Sequence, residues 1–237
     1  MSRTIWIGDV HGCAVELRDL LDLIGPTRDD RVVFVGDLVA RGPDTAGVLK
    51  LVRELGAPCV RGNHEHRLIH AHQARLRGLK GPRLGPSHMH LLETLLEEDW
   101  IMLENLPLSL EFPEHQVRVV HAGVAPGIPL KGQQAWTLMH IRSLTRHGAP
   151  SDRYSQESWA ASYQEDPHII FGHNAQAGLQ LHRYATGLDS ACVYGGRLSA
   201  LVLERGKTPP PPEERSPYIF SVPARTRYVD YGPRPND

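Results

Sequence analysis

The sequence predicts an α/β fold on three observations. Five short apolar, β-branched runs, "TIWIGD", "RVVFVGD", "APCVRGN", "VRVVHAG" and "HIIFGH", each run into a glycine, the pattern of buried strands that end in tight turns. Segments with apolar residues at helical spacing lie between the first three of them. At 237 residues and 41% hydrophobic content, the chain can bury one sizeable core.

In order along the chain, "CAVELRDLLDLIG" places Leu17, Leu20, Leu21 and Ile24 on one helical face. After the second strand, Val48, Leu51, Val52 and Leu55 repeat that spacing behind Asp44, an N-cap candidate. The opening is therefore β-α-β-α-β, with right-handed crossovers in a largely parallel sheet. "HEHRLIHAHQARL" and "SHMHLLETLLEEDWIMLENL" read as helices on either side of a basic, glycine-rich loop, "RGLKGPRLGP". From Leu179 to Glu204 alternating residues with glycine turns predict a hairpin or meander that closes the fold. Residues 1–206 form one unit on this reading and 207–237 a proline-rich tail, extended and solvated at "KTPPPPEERSP" and either docked or free over "SPYIFSVPARTRYVDYGPRPND".

Composition excludes several functions. Lys+Arg 26 against Asp+Glu 27 gives no net charge to draw the chain to nucleic acid or a membrane surface, so any phosphate binding must be local. "MSRTIWIGDVHG" enters a strand at once, without an apolar stretch of signal-peptide length, and no later run reaches a membrane span; a cytoplasmic protein is expected. Cys13, Cys59 and Cys192 are odd in number and widely spaced, which fits reduced packing thiols rather than a disulfide framework or a cysteine zinc site. Trp6 lies inside the first strand and is expected in the core.

The strand ends carry the chemistry. The runs finish in "GDVHG", "GD", "GNHE", "HAG" and "GH", which brings Asp9, His11, Asp37, Asn63, His121 and His173 to one rim of the sheet, where ligands bind in open α/β folds. Any one of these motifs is an ordinary turn; five in order are a site. Carboxylate, imidazole and amide oxygen without thiolate suit Mn, Fe, Co, Ni or Zn. Two such ions would bind a phosphoryl oxygen and acidify a water for in-line attack on phosphorus.

The series "GDVHG…GDLVARG…GNHE…HAG…GH" resembles the calcineurin-like metallophosphoesterases, in their phosphoprotein-phosphatase branch, over roughly residues 4 to 204. "GDLVARGPDT", "GNHE" and "LDSACVYGGRLSALVL" look most like the bacterial symmetrical diadenosine tetraphosphatases. The resemblance implies a single-domain, four-layer αββα sandwich with a dinuclear site for two divalent ions, Mn above Co, Ni, Fe or Zn. It implies that Asp9, His11 and Asp37 hold the first ion and that Asp37 bridges to a second held by Asn63, His121 and His173. His64 would be the general acid and Arg41 a phosphate clamp, its guanidinium fork matching phosphate oxygens. Arg142 is either a second clamp or a surface helix cation. The implied reaction is symmetrical hydrolysis of a dinucleoside polyphosphate to two nucleoside diphosphates. A Ser/Thr phosphatase acting on phosphoproteins, or a catalytically weakened metal-binding regulator, are the alternatives.

One residue departs from the family pattern "GDxVDRG": Ala40 stands where a second aspartate would accept a hydrogen bond from the catalytic histidine. A substitute such as Glu65 or a water, a leaving group that needs little protonation, or an inactivating change each account for it. Arg67, Arg75, Arg77, Lys80 and Arg83 either steer a polyphosphate chain or form a solvated face, and His70, His72, His88 and His90 read as surface histidines.

Overall fold

The computed structural model describes residues 2–155 and 157–231. Strand β1 (Arg3–Ile7) leads into helix α1 (Ala14–Ile24) and then β2 (Arg31–Phe34), which pairs parallel to β1 with Thr4 opposite Arg31. Gly25 ends α1 in the left-handed conformation, its N–H donating to the Leu21 carbonyl at 2.8 Å. Helix α2 (Thr45–Glu54) is capped by Asp44, whose carboxylate accepts from Gly47 N at 2.7 Å, as the spacing predicts. The third expected strand is reduced to one parallel bridge between Phe34 and Cys59. Helix α3 (Asn63–Leu76) follows, and the next helical stretch breaks at Leu95 and Leu96 into α4 (Pro86–Thr94) and α5 (Glu97–Glu104).

The second half of the chain builds a second sheet. It comprises β3 (Ser109–Phe112), β4 (Val117–Val120), β7 (His168–Phe171), β8 (Gln180–His182) and β9 (Ala185–Gly187), in the order β3-β4-β7-β9-β8. Between β4 and β7 lie α6 (Ala135–His140), the small pair β5 (Ser143–Leu144) and β6 (Pro150–Ser151), and α7 (Trp159–Ser162). The closing region is not one meander. β8 and β9 form an antiparallel pair in this sheet, whereas β10 (Arg197–Glu204) crosses to the first sheet and lies antiparallel to β1.

Three cores separate four layers. In β1, Ile5 and Ile7 face α1 and α2 while Trp6, between them, faces the other sheet, the period-two alternation of a strand buried on both sides. Trp6, Val33, Val35 and Leu201 of the first sheet meet Phe112, Val119 and Ile170 of the second. Behind the second sheet, Val120, Ile169 and Phe171 pack on Trp159 and Leu138. The result is the expected αββα sandwich.

The C-terminal segment beyond residue 217 docks onto the domain. β11 (Ile219–Pro223) adds an edge strand to β10, giving the order β11-β10-β1-β2. Arg215 is fully buried and donates to the carbonyls of His182, Ala185 and Pro210 and to Thr186 Oγ1. Residues 232–237 of that tail lie outside the described residues. Two of the cysteines also meet: Cys13 and Cys192 are buried with Glu16, their ligand atoms within 4.8 Å of one another. Glu16 accepts from Tyr228 Oη and Arg225 N, tying the C-terminal segment to α1.

Candidate active site

The strands of both sheets end at one rim, and the backbone there turns sharply. His11, Asp37, Ala40, Arg41 and His173 all have positive φ, between 47° and 70°. Non-glycine residues rarely hold this conformation without support from their surroundings, and such residues cluster at functional sites. For Asp37 the support is Glu65, a fully buried carboxylate at the start of α3. Its Oε2 accepts from Asp37 N and Gly62 N, both at 2.9 Å, and its Oε1 from Leu38 N at 2.8 Å and Val39 N at 3.1 Å. The sequence reading offered Glu65 as a substitute partner for His64; the structure spends both its oxygens on backbone amides instead.

Asp37 sits at the centre. Its Oδ1 accepts from His64 N at 3.0 Å, and its Oδ2 lies 3.5 Å from His11 Nε2 and 3.4 Å from His121 Nε2. One ligand atom each from His11, Asp37 and His64 fall within 4.8 Å of one another, and so do those of Asp37, His121 and His173, so Asp37 belongs to two groups. His11 Nδ1 donates to the Val39 carbonyl and His121 Nδ1 to the Val35 carbonyl, which turns the Nε2 atom of each ring inward. His121 Nε2 also faces Asn63 Oδ1 at 3.0 Å. Asp9 accepts from His173 N at 3.0 Å, across the seam between the sheets.

This donor set fits a cation. At His121, Nε2, the Asn63 amide oxygen and an Asp37 carboxylate oxygen converge, and together they need a positive centre between them, a proton on Nε2 or a metal ion in its place. His173 Nε2 is buried with no partner among the described residues. Burial opposes charge on Asp37, yet the neighbouring His121, His64 and His11 hold it well below the usual carboxylate range. Burial also opposes charge on His121, and Asp37 still lifts it to about 10, the response of a field that favours a cation. Burial and the charge of Asp189 push Asp9 well above the carboxylate range. Burial lowers His11 to about 4 and holds His173 well below the imidazole range, so these two rings present lone pairs; burial lowers His64 too, against the charge of Asp37, which favours its protonated form.

The two predicted arginines flank the cluster. Arg41 Nη1 lies 3.2 Å from His11 Nε2, with its guanidinium 5.3 Å over the Tyr194 ring. Arg142 is not on a helix: α6 ends at His140, and Arg142 stacks 4.7 Å over Tyr154 and donates to the Asp152 carbonyl. It stands close enough to depress His173.

Several site residues escaped the sequence reading. Asp189, buried and pushed up to about 6 by that burial, lies among the carboxylates two residues after the end of β9. The signal was present: "TGLD" repeats the strand-glycine-aspartate pattern one step later. His88, read as a surface histidine, is buried and within 3.1 Å of His64 Nδ1. No sequence signal marks it, because its partner is 24 residues away. Trp136, 42% exposed, stacks on His140, whose ring centroid lies 6.4 Å from that of His173. Arg67 and Arg83 of the basic stretch line one cavity of about 540 Å³ beside α4, with Leu84 and Pro86.

The chain resembles proteins of known name and structure. A bis(5'-nucleosyl)-tetraphosphatase PrpE [asymmetrical] of Halalkalibacterium halodurans is 32% identical over 222 residues, 82% of this chain and 87% of that one. A symmetrical bis(5'-nucleosyl)-tetraphosphatase of Shewanella oneidensis is 34% identical over 170 residues, 70% of this chain and 60% of its own length. A solved structure described as "a putative diadenosine tetraphosphatase" superposes with a TM-score of 0.79 at 34% identity, covering 94% of this chain and 93% of that chain. A serine/threonine phosphatase of Saccharomyces cerevisiae shares the fold, with a TM-score of 0.58 at 16% identity. The calcineurin-like phosphoesterase profile matches residues 2–206. With that span matched and the strand-end residues gathered at one rim, the chain belongs to the calcineurin-like phosphoesterases and is a metallophosphoesterase.

Proposed function

We propose that the protein hydrolyses dinucleoside polyphosphates of the diadenosine tetraphosphate type, using two divalent ions. The observation that carries this reading is the double membership of Asp37, which forms one group with His11 and His64 and another with His121 and His173. Asp9, His11 and Asp37 would hold one ion, and Asp37, Asn63, His121 and His173 the other, with Mn favoured among Mn, Co, Ni, Fe and Zn. When bound, the ions supply Lewis acidity to the phosphoryl oxygens and acidify the attacking water.

This chain's residues do the remaining work. Glu65 holds the Asp37–Val39 backbone, and the Val35 and Val39 carbonyls fix the rings of His121 and His11. Arg41, on the rim beside His11, orients phosphate oxygens, and Arg142 does the same beside His173. His64 protonates the leaving oxygen from Nε2 while its Nδ1 is held by a protein partner. The adenine end of the substrate would reach the exposed Trp136 ring beyond His173.

The sequence motifs favour symmetrical cleavage. A second reading, asymmetrical cleavage to ATP and AMP, is favoured by the printed name of the Halalkalibacterium relative, which covers most of both chains. Hydrolysis of diadenosine tetraphosphate with added Mn²⁺, products resolved by chromatography and a phosphopeptide run alongside, decides between them. ADP alone supports the first and ATP with AMP the second. Faster turnover of the phosphopeptide would overturn both in favour of a protein phosphatase. No turnover of either substrate with two ions bound would leave the metal-binding regulator.

A further inference from the structure

Ala40 leaves no carboxylate at the position from which the family pattern supports His64, and Glu65 is committed to four backbone amides. The contact made by His64 Nδ1 comes from α4. His88 Nε2 lies 3.1 Å away, with the ring centroids 4.9 Å apart and the two planes 20° from parallel, as suits an N–H···N bond in the ring plane. Both side chains are buried, His64 9% and His88 5% exposed. His88 reaches this place because α4 starts two residues earlier, with Gly85 extended at the cap and Pro86 in the first turn. The edge of the His11 ring meets His64 from the other side at 4.8 Å, so the imidazole is held between two rings.

We infer that His88 is the positioning residue of His64, accepting the Nδ1–H of His64 at its own Nε2 and thereby keeping His64 Nε2 as the nitrogen that serves the leaving group. This rests on the phosphoester-hydrolase reading, in which His64 is the acid. His64 first takes up a proton at Nε2 from water at the rim; as the P–O bond breaks, its electron pair goes to the leaving oxygen and that proton passes from His64 Nε2 to the same oxygen. His64 retains its Nδ1 proton in the hydrogen bond to His88, which neither gains nor loses one. A carboxylate elsewhere in this family and an imidazole here would thus do the same job, holding one tautomer and one ring orientation.

The test uses the full chain loaded with Mn²⁺ and a series of aryl phosphates of rising leaving-group basicity, with His88→Ala and His88→Gln as variants. In His88→Ala, kcat is expected to fall about 10²-fold with phenyl phosphate and by less than about 3-fold with p-nitrophenyl phosphate, whose leaving group needs no proton. KM and bound metal, the latter measured by plasma mass spectrometry, are expected to stay at wild-type values. His88→Gln keeps an acceptor oxygen and is expected to recover most of the loss. An equal loss across the series, or none, overturns the inference. Nitrogen-15 histidine NMR of the wild-type chain gives an answer that does not depend on activity or on any variant folding. A downfield imidazole N–H coupled to nitrogens of both His64 and His88 is expected, and its absence overturns the pairing. A wild-type chain that hydrolyses no phosphoester while showing that signal would refute the functional reading and leave the pairing standing.

Discussion

Replacing Glu65 by Gln tests how the strained turn under the site is held. The carboxylate accepts four backbone N–H bonds, two at each oxygen, from Asp37, Leu38, Val39 and Gly62, in a fully buried position. A glutamine has one oxygen. Whichever way its amide is turned, two of the four donors lose their acceptor and face an NH₂ group. A buried unsatisfied donor costs about 1–3 kcal/mol, so the substitution should cost about 2–6 kcal/mol. Two effects reduce this: a neutral amide is easier to bury, and burial with the charge of Asp37 already pushes Glu65 up to about 7, so removing its charge relieves a repulsion. The lower half of the range, about 2–4 kcal/mol, is therefore expected. With an m-value of about 3 kcal/mol/M, urea unfolding of the chelator-treated protein at pH 8 should lose roughly 1 M from its midpoint at unchanged slope. A midpoint within about 0.2 M of wild type would mean that the turn supports itself, and the account of Asp37's conformation given above would fail.

Further predictions follow from the same contacts. Asp37→Asn should lose bound metal and activity together, measured by plasma mass spectrometry and turnover; retention of both refutes its bridging place between the two groups. Gly172→Ala would drive a methyl group into Asp9 Oδ1, so metal affinity should fall at least tenfold by calorimetry, about 1.4 kcal/mol, while β7 stays folded by circular dichroism. Trp136→Ala should raise KM for diadenosine tetraphosphate about tenfold, a stacking loss of about 1.4 kcal/mol, and leave p-nitrophenyl phosphate unaffected. His168 accepts from Thr186 Oγ1, which in turn accepts from Arg215, and burial lowers His168 to about 3. The unfolded chain binds that proton first as pH falls below about 6.5, so stability is present above that pH and is lost progressively toward pH 3, by on the order of 4–5 kcal/mol. His168→Gln should flatten the acid limb of a urea-midpoint against pH curve; an unchanged limb would remove His168 as its cause.

The parts of this protein that sequence made legible are the local ones. A strand running into Gly-Asp, His-Ala-Gly or Gly-His declares both its burial and its polar end within a few residues, and Asp37, His121 and His173, which follow β2, β4 and β7, form one group. The partition into two sheets was not legible from periodicity. Trp6 and Ile7 are both apolar and both buried, and only the tertiary structure says which faces a helix and which faces a sheet. The proline-rich stretch is solvated, as its composition argues: of residues 207–217 only Arg215 is buried. What composition cannot reveal is where that arginine goes, to the Pro210 carbonyl within the stretch and to His182, Ala185 and Thr186 some 30 residues away. His88 and Arg142 belong to the same class, their meaning set by neighbours far along the chain.

The site is made by the packing of the two sheets, not carried by either. Asp9 and Asp37 leave the first sheet, His121 and His173 the second, and the apolar seam of Trp6, Val35, Val119 and Ile170 brings the two sets together. Direct bonds fix the register: His173 N donates to Asp9, and the His121 ring donates to the Val35 carbonyl of the opposite sheet. Each bond ties a candidate ligand of one sheet to the backbone or carboxylate of the other, so a shift along the seam would separate the donors from one another. Folding therefore also preorganises the donors, and the crowding of Asp9, Asp37 and Asp189 in a buried space favours a positive centre among them. His64 and His88 stand outside this seam, on α3 and α4. With His64 as the proposed acid, a partner supplied by α4 in place of a carboxylate at position 40 leaves the strand-end donors where the two sheets put them.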